Sequence, residues 1–144
     1  MQKTMLILIV DDNSTELAIT DMLLKERLPG VQTLHATNGC EMLNLLDSSS
    51  ASIGKLPDLI LVELYLPNFD GWQAVQNLRD RPTFKELPVA FYSRTKNPKN
   101  YLLASRLNTP LFMKGDRLID HAKSINNLVN WYSGLVTVGD LDNK

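Results

Sequence analysis

A doubly wound α/β domain built on a parallel sheet is the fold class the sequence predicts, on three observations. Short apolar runs alternate five times with segments of helical periodicity. Two of the runs, Met5 to Val10 and Leu59 to Val62, are continuous rather than alternating, the pattern of central strands covered on both faces. A length of 144 residues, 44% hydrophobic and 22% charged, suits one domain with one core that needs no disulfide or metal to fold.

The elements follow in order. Strands are expected at Met5 to Val10, Val31 to Ala36, Leu59 to Val62, Val89 to Tyr92 and Leu111 to Met113. A helix follows each. Asn13 with Glu16, Asn38 with Glu41 and Asp70 with Gln73 place a capping oxygen three residues before a side chain able to reach back to the cap amide. Asn97 followed by Pro98 opens the fourth helix, with proline where a missing N–H costs nothing. After Gly115, Asp116 is expected to cap a long last helix whose Leu118, Ala122, Ile125, Val129 and Tyr132 form one apolar stripe. Asp47 to Gly54, rich in serine, reads as a surface loop. The domain is expected to span residues 1–135, with 136–144 as a polar C-terminal tail that leaves no room for an effector domain.

Charge excludes some functions. Fifteen Lys and Arg against sixteen Asp and Glu give a net charge of −1, without the basic footprint that nucleic acid or an anionic membrane requires. The first apolar run is too short to span a membrane and meets Asp11 and Asp12 at once, so neither a membrane helix nor a signal peptide is expected. The single Cys40 agrees with a reducing, cytoplasmic location and is read as a packing residue.

In open parallel sheets, ligands bind beyond the carboxyl ends of the strands. Those ends carry Asp11 and Asp12, Glu63, Ser93 and Lys114. Carboxylate oxygens suit Mg²⁺, and a lysine neutralises a phosphoryl oxygen as a point charge. The bland reading of Asp11 and Asp12 is that they favour the dipole of the first helix and need no metal.

Four stretches carry a resemblance over nearly the whole chain: Ile7 to Asp12, Pro57 to Gly71, Pro88 to Ser93, and Phe112 to Lys114. In that order and spacing the chain resembles a receiver domain of the two-component response-regulator family. The resemblance implies a flavodoxin-like (βα)5 fold with strand order 2-1-3-4-5. The connection Arg79 to Pro88 and the end Ala122 to Tyr132 look most like the stand-alone regulators paired with phytochrome-type histidine kinases. It further implies that Asp11, Asp12 and the carboxylate at position 63 hold Mg²⁺, weakly if at all here, and that position 63 is the phosphoacceptor.

At that position the sequence departs from the family, with Glu63 in place of aspartate. One more methylene pushes the carboxylate into the space of the phosphoryl group, and misplacement by about 1 Å can cost roughly a hundredfold in rate. Arg94 follows Ser93 where the family has a small residue, Gly115 follows Lys114 in place of proline, and Leu111 stands where responsive members carry a mobile aromatic. The resemblance thus implies that Ser93, Arg94, Leu111 and Lys114 are the switch and phosphoryl-pocket positions. Arg94 and Lys114 are expected to pair with Glu63 and hold one conformation. Asp58 lies at the far end of its strand and Asp70 is a helix cap, so neither is expected to replace it.

The expected function is that of a stand-alone, non-enzymatic, atypical receiver acting by protein–protein interaction, with a sensor histidine kinase or another signalling protein as partner. Leu128, Trp131 and Leu135 form a second arc on the last helix, expected to be a partner or homodimer surface. The alternative is a receiver that still accepts phosphate. More distant are a flavin-binding flavodoxin relative, against which the glycine-free first loop argues, and a hydrolase, for which Ser93 lacks a Gly-x-Ser-x-Gly turn. His121 is read as a surface residue beside the core stripe.

Overall fold

The computed structural model describes residues 4–48 and 55–142, with side chains through residue 136. Five strands, β1 (Leu6–Val10), β2 (Gln32–Ala36), β3 (Leu59–Val62), β4 (Val89–Ser93) and β5 (Leu111–Met113), form one sheet in the order β2-β1-β3-β4-β5. Every pairing is parallel. The helices are α1 (Ser14–Arg27), α2 (Gly39–Ser48), α3 (Gly71–Arg79), α4 (Lys99–Arg106) and α5 (Leu118–Asp142). The expected fold class is the observed one.

The continuous apolar runs divide by residue parity between two cores. Leu8 and Val10 of β1, with Ile60 and Val62 of β3, pack against Met42 and Leu46 of α2 and Ala74, Val75 and Leu78 of α3. Ile7 and Ile9, with Leu59 and Leu61, pack on the opposite face against Leu17 and Leu24 of α1 and Ile125, Leu128 and Val129 of α5. Each buried Leu or Ile contributes about 1.5–3 kcal/mol of transfer free energy. That requirement explains why neither face of the central strands admits a polar residue.

Local signals place most of the helix starts. Asn13 accepts the Glu16 amide at 3.0 Å, Asn38 accepts the Glu41 amide at 2.8 Å, and Asp70 with Gln73 closes a complete capping box. At α4, Asn97 accepts the Lys99 amide and the helix begins after Pro98, one residue later than the proline rule predicts. The expected cap at Asp116 is replaced. Asp120 turns back to accept the Arg117 amide at 3.2 Å, while Asp116 faces Lys96 at 3.5 Å. Gly115 permits this turn, because a Cβ there would lie 1.8 Å from Asp120 Cβ. No peptide bond among the described residues is cis.

Four expectations are corrected here. Leu118 is 56% exposed and leaves the core stripe, whereas Leu128 is wholly buried and joins it. The backbone of α5 continues to Asp142, through most of the segment expected as a tail. Asp47 and Ser48 are helical, and residues 49–54 of the expected loop lie outside the described residues. Cys40 is exposed as a free thiol rather than packed.

Candidate functional site

The site is built from residues that continue the sheet ladder past its carboxyl edge. The Asp11 amide bonds to Ala36 O, the Glu63 amide to Val10 O and the Lys114 amide to Ser93 O, so β1, β3 and β5 deliver their next side chains to the same edge of the sheet. Gly71 closes the approach of α3, since a Cβ there would lie 2.3 Å from the Glu63 carbonyl oxygen.

Lys114 is the centre. Its side chain is 1% exposed, and Nζ donates to Asp11 Oδ2 at 2.5 Å and to Glu63 Oε2 at 3.0 Å. Burial alone would depress the ammonium, but the Glu63 and Asp11 carboxylates outweigh it and push the lysine above its ordinary value. Burial raises the Asp11 carboxyl, against the opposing pull of Lys114. The other oxygen of Asp11 accepts the Asn13 amide at 2.9 Å. Glu63 Oε1 accepts the Leu64 amide at 2.8 Å, the Tyr65 amide at 3.3 Å and the Ser93 hydroxyl. Both carboxylates are therefore filled by protein donors.

The divalent-cation set expected from the sequence does not assemble. Asp12 is exposed while Asp11 and Glu63 are buried, and among the described residues no group of three or more carboxylate, imidazole or thiol side chains could hold a metal. The ammonium of Lys114 bridges the two buried carboxylates, so the residues as arranged do not fit Mg²⁺. The pairing expected between Arg94 and Glu63 is also corrected, because Arg94 Nη2 donates to Glu16 Oε1 instead.

Glu16 is the residue that sequence reasoning missed. Its spacing from Asn13 predicts a capping role, yet it is 7% exposed and turned inward. Its Oε2 is buried with no hydrogen-bond partner, 3.6 Å from His121 Nε2 and 4.0 Å from Lys114 Nζ. The available signal was spacing, since Glu16, Thr20 and Leu24 share the buried face of α1. His121 is the matching correction. Only 2% exposed, it sets Nδ1 3.1 Å from the Tyr92 hydroxyl. Burial holds the imidazole below its ordinary value despite the opposing charge of Glu16. Burial likewise raises the Tyr92 phenol strongly.

The remaining expected residues fall as follows. Ser93 and Leu111 are buried, Leu111 within the core. Asp58 lies at the opposite edge of the sheet, accepting the Leu6 amide at 2.8 Å. Trp131 is half-buried beside Phe112, with ring centroids 5.9 Å apart, and Leu135 is exposed. The two line a groove of about 650 Å³ with Tyr101 and Leu111. Leu128 takes no part in a surface. Among the described residues no helix is long and apolar enough to cross a membrane.

Comparison with known proteins agrees with this fold. A family model of the response regulator receiver domain matches residues 7–109. The chain is 38% identical over 84 residues to the sensor histidine kinase CheAY of Helicobacter pylori, covering 58% of this chain but spanning only 10% of that kinase. It is 22% identical over 134 residues to the response regulator Rcp1 of Synechocystis, covering 92% of this chain and 91% of Rcp1. Among solved structures, the phosphorylated cyanobacterial phytochrome response regulator RcpA superposes with a TM-score of 0.80 at 22% identity, covering 90% of this chain and 94% of RcpA. The Mn²⁺-bound form of Rcp1 gives a TM-score of 0.74 at 21% identity, covering 86% and 91%.

Proposed function

Because the chain belongs to the response regulator receiver domain family of two-component signalling, we propose that it is an atypical receiver that acts through protein–protein contact, with Glu63 at the phosphoacceptor position. The observation that carries this reading is the occupancy of Glu63. A carboxylate nucleophile needs an oxygen free to approach the phosphorus in line. Here Oε1 takes three donors and Oε2 takes the buried ammonium. The glutamate fixes the loops that a phosphoryl group would otherwise organise, although it supplies neither the charge nor the three acceptor oxygens of phosphate.

The partners on this reading are a sensor histidine kinase or another signalling protein, supported by the likeness to part of CheAY, and a second copy of the chain along β5 and α5. Met113, Leu118, Ile119 and Leu135 are exposed on those two elements. A cytoplasmic location is consistent with the free thiol of Cys40.

Incubation with a small phosphodonor and Mg²⁺, followed by intact-mass measurement, tests the proposal. No phosphoryl adduct is expected on the native chain. An adduct mapped to Glu63 establishes the alternative, a phosphorylation-competent receiver. Glu63→Asp is expected to restore an adduct if this residue alone is at fault.

A further inference from the structure

Leu111, expected from the resemblance to be a switch position, is 8% exposed and packs in the core. An aromatic on a different loop is connected to the site instead. Tyr65 follows Glu63 by two residues in the β3–α3 connection and is 60% exposed. Its hydroxyl is nevertheless tethered, donating to Thr95 Oγ1 at 3.1 Å and accepting from Asn100 Nδ2 at 3.4 Å.

Thr95 and Asn100 are themselves buried, and Asn100 Nδ2 donates to Thr95 Oγ1 at 2.5 Å. The Thr95 amide donates to Ser93 Oγ at 3.3 Å, and that hydroxyl donates to Glu63 Oε1. The Tyr65 amide donates to the same Oε1 at 3.3 Å. A closed hydrogen-bonded ring thus runs from Glu63 through Ser93 and Thr95 to the Tyr65 hydroxyl, and back along the Tyr65 backbone. It joins the β3–α3 connection to the segment between β4 and α4, and its one exposed member is an aromatic ring.

We propose that Tyr65 is the residue through which the bonding state of Glu63 is displayed at the protein surface. The proposal rests on the receiver reading for the importance of Glu63. Any change that draws Oε1 away from Ser93 loosens Thr95, frees the Tyr65 hydroxyl and lets the ring and the start of α4 move together. Hydrogen bonds that share members strengthen one another, so breaking one link weakens the rest. A protein that binds over this corner therefore meets a fixed Tyr65 ring while Glu63 remains clamped.

Amide hydrogen exchange of residues 94–101 on the intact, unphosphorylated chain tests the circuit. Tyr65→Phe, which removes only the hydroxyl, is expected to speed exchange there about three- to tenfold, the yield of one net hydrogen bond, with α2 unchanged. Glu63→Gln is expected to do the same in the native background and to add nothing in the Tyr65→Phe background, because both act on one ring. Ser93→Ala breaks the same link with every charge retained and serves if Glu63→Gln fails to fold. Unchanged exchange in Tyr65→Phe, or factors that multiply in the double variant, overturns the proposal. A phosphoryl adduct on native Glu63 would instead overturn the proposed function and leave this measurement untouched.

Discussion

Lys114→Met is the most informative perturbation of the site, because it removes one charge while keeping a flexible side chain of similar bulk. The native ammonium is 1% exposed and lies 2.5 Å from one buried carboxylate and 3.0 Å from another. Its removal leaves Asp11 and Glu63 buried with their backbone donors but with no compensating cation. Breaking a buried ion pair by deleting one partner costs about 3–5 kcal/mol. The two contacts share one nitrogen, so their losses do not add, and the same range holds for both together. That is a factor of roughly 10² to 10⁴ in the folding equilibrium, out of a total stability of about 5–15 kcal/mol for a domain.

Urea denaturation across pH measures the loss and identifies its cause. Asp11 is already raised by burial in the native chain, and in the variant the opposing pull of Lys114 is gone, so folding takes up a proton there and stability increases as pH falls. The deficit relative to the native chain is expected to be largest at neutral pH and to narrow toward pH 5. Lys114 itself is raised above 10.5, so its contribution to the native chain is complete below that value and declines only as pH climbs past it. Adding Glu63→Gln to Lys114→Met removes one stranded charge and is expected to recover part of the loss. A deficit below about 1 kcal/mol, or one that stays constant with pH, refutes the argument that Lys114 neutralises two buried carboxylates.

Three further outcomes follow from the same structure. His121 is depressed below 6.5 by burial, so the stability it contributes as a neutral ring is complete above that pH and is lost as pH falls through it; His121→Gln is expected to flatten this part of a denaturation-versus-pH curve, and an unaltered curve contradicts the assignment. Gly71→Ala places a methyl 2.3 Å from the Glu63 carbonyl oxygen and 2.9 Å from Leu64 Cα, and is expected to cost about 1–3 kcal/mol in thermal or urea unfolding. Trp131→Glu is expected to convert a dimer to a monomer in light scattering, and a native chain already monomeric at the same concentration eliminates the self-association proposal.

What the sequence discloses is what depends on neighbours in the chain. The apolar runs of β1 and β3 and the caps at Asn13, Asn38 and Asp70 are local, and each is where its pattern predicts. The failures arise where a third element intervenes. Asp116 has the right residue type and spacing for a cap, yet the close approach at Gly115 brings Asp120 to the turn instead. The stripe of Ala122, Ile125 and Val129 faces inward as its spacing predicts, but Leu118 leaves it and Leu128 joins it, because which flank of the stripe is covered depends on how α5 lies across α1 and the sheet. The sheet face presents Ile9, Leu61 and Ala90 to the arc of Ile125 and Leu128. The same docking buries His121, because Glu16 and Tyr92 provide polar partners that no single-helix pattern can reveal.

Those long-range contacts also change how the glutamate at position 63 is to be understood. The buried site holds three carboxylates, Asp11, Glu16 and Glu63, against the cations Lys114 and Arg94, with His121 beside them. Glu16 draws Arg94 away from Glu63, so Lys114 alone neutralises the latter, and Ser93 with two backbone amides completes its shell. The extra methylene of Glu63 is the reach that lets one carboxylate touch Lys114, Ser93 and its own following loop together. Shortening it to aspartate therefore does more than open space beside Lys114. It withdraws an acceptor from the Leu64 and Tyr65 amides, and a backbone donor left unpaired in a buried setting costs about 1–3 kcal/mol. Glu63→Asp is consequently expected to be less stable than the native chain and to regain that stability on binding an oxyanion at the site. A Glu63→Asp variant as stable as the native protein would show that the length of this side chain has no structural role.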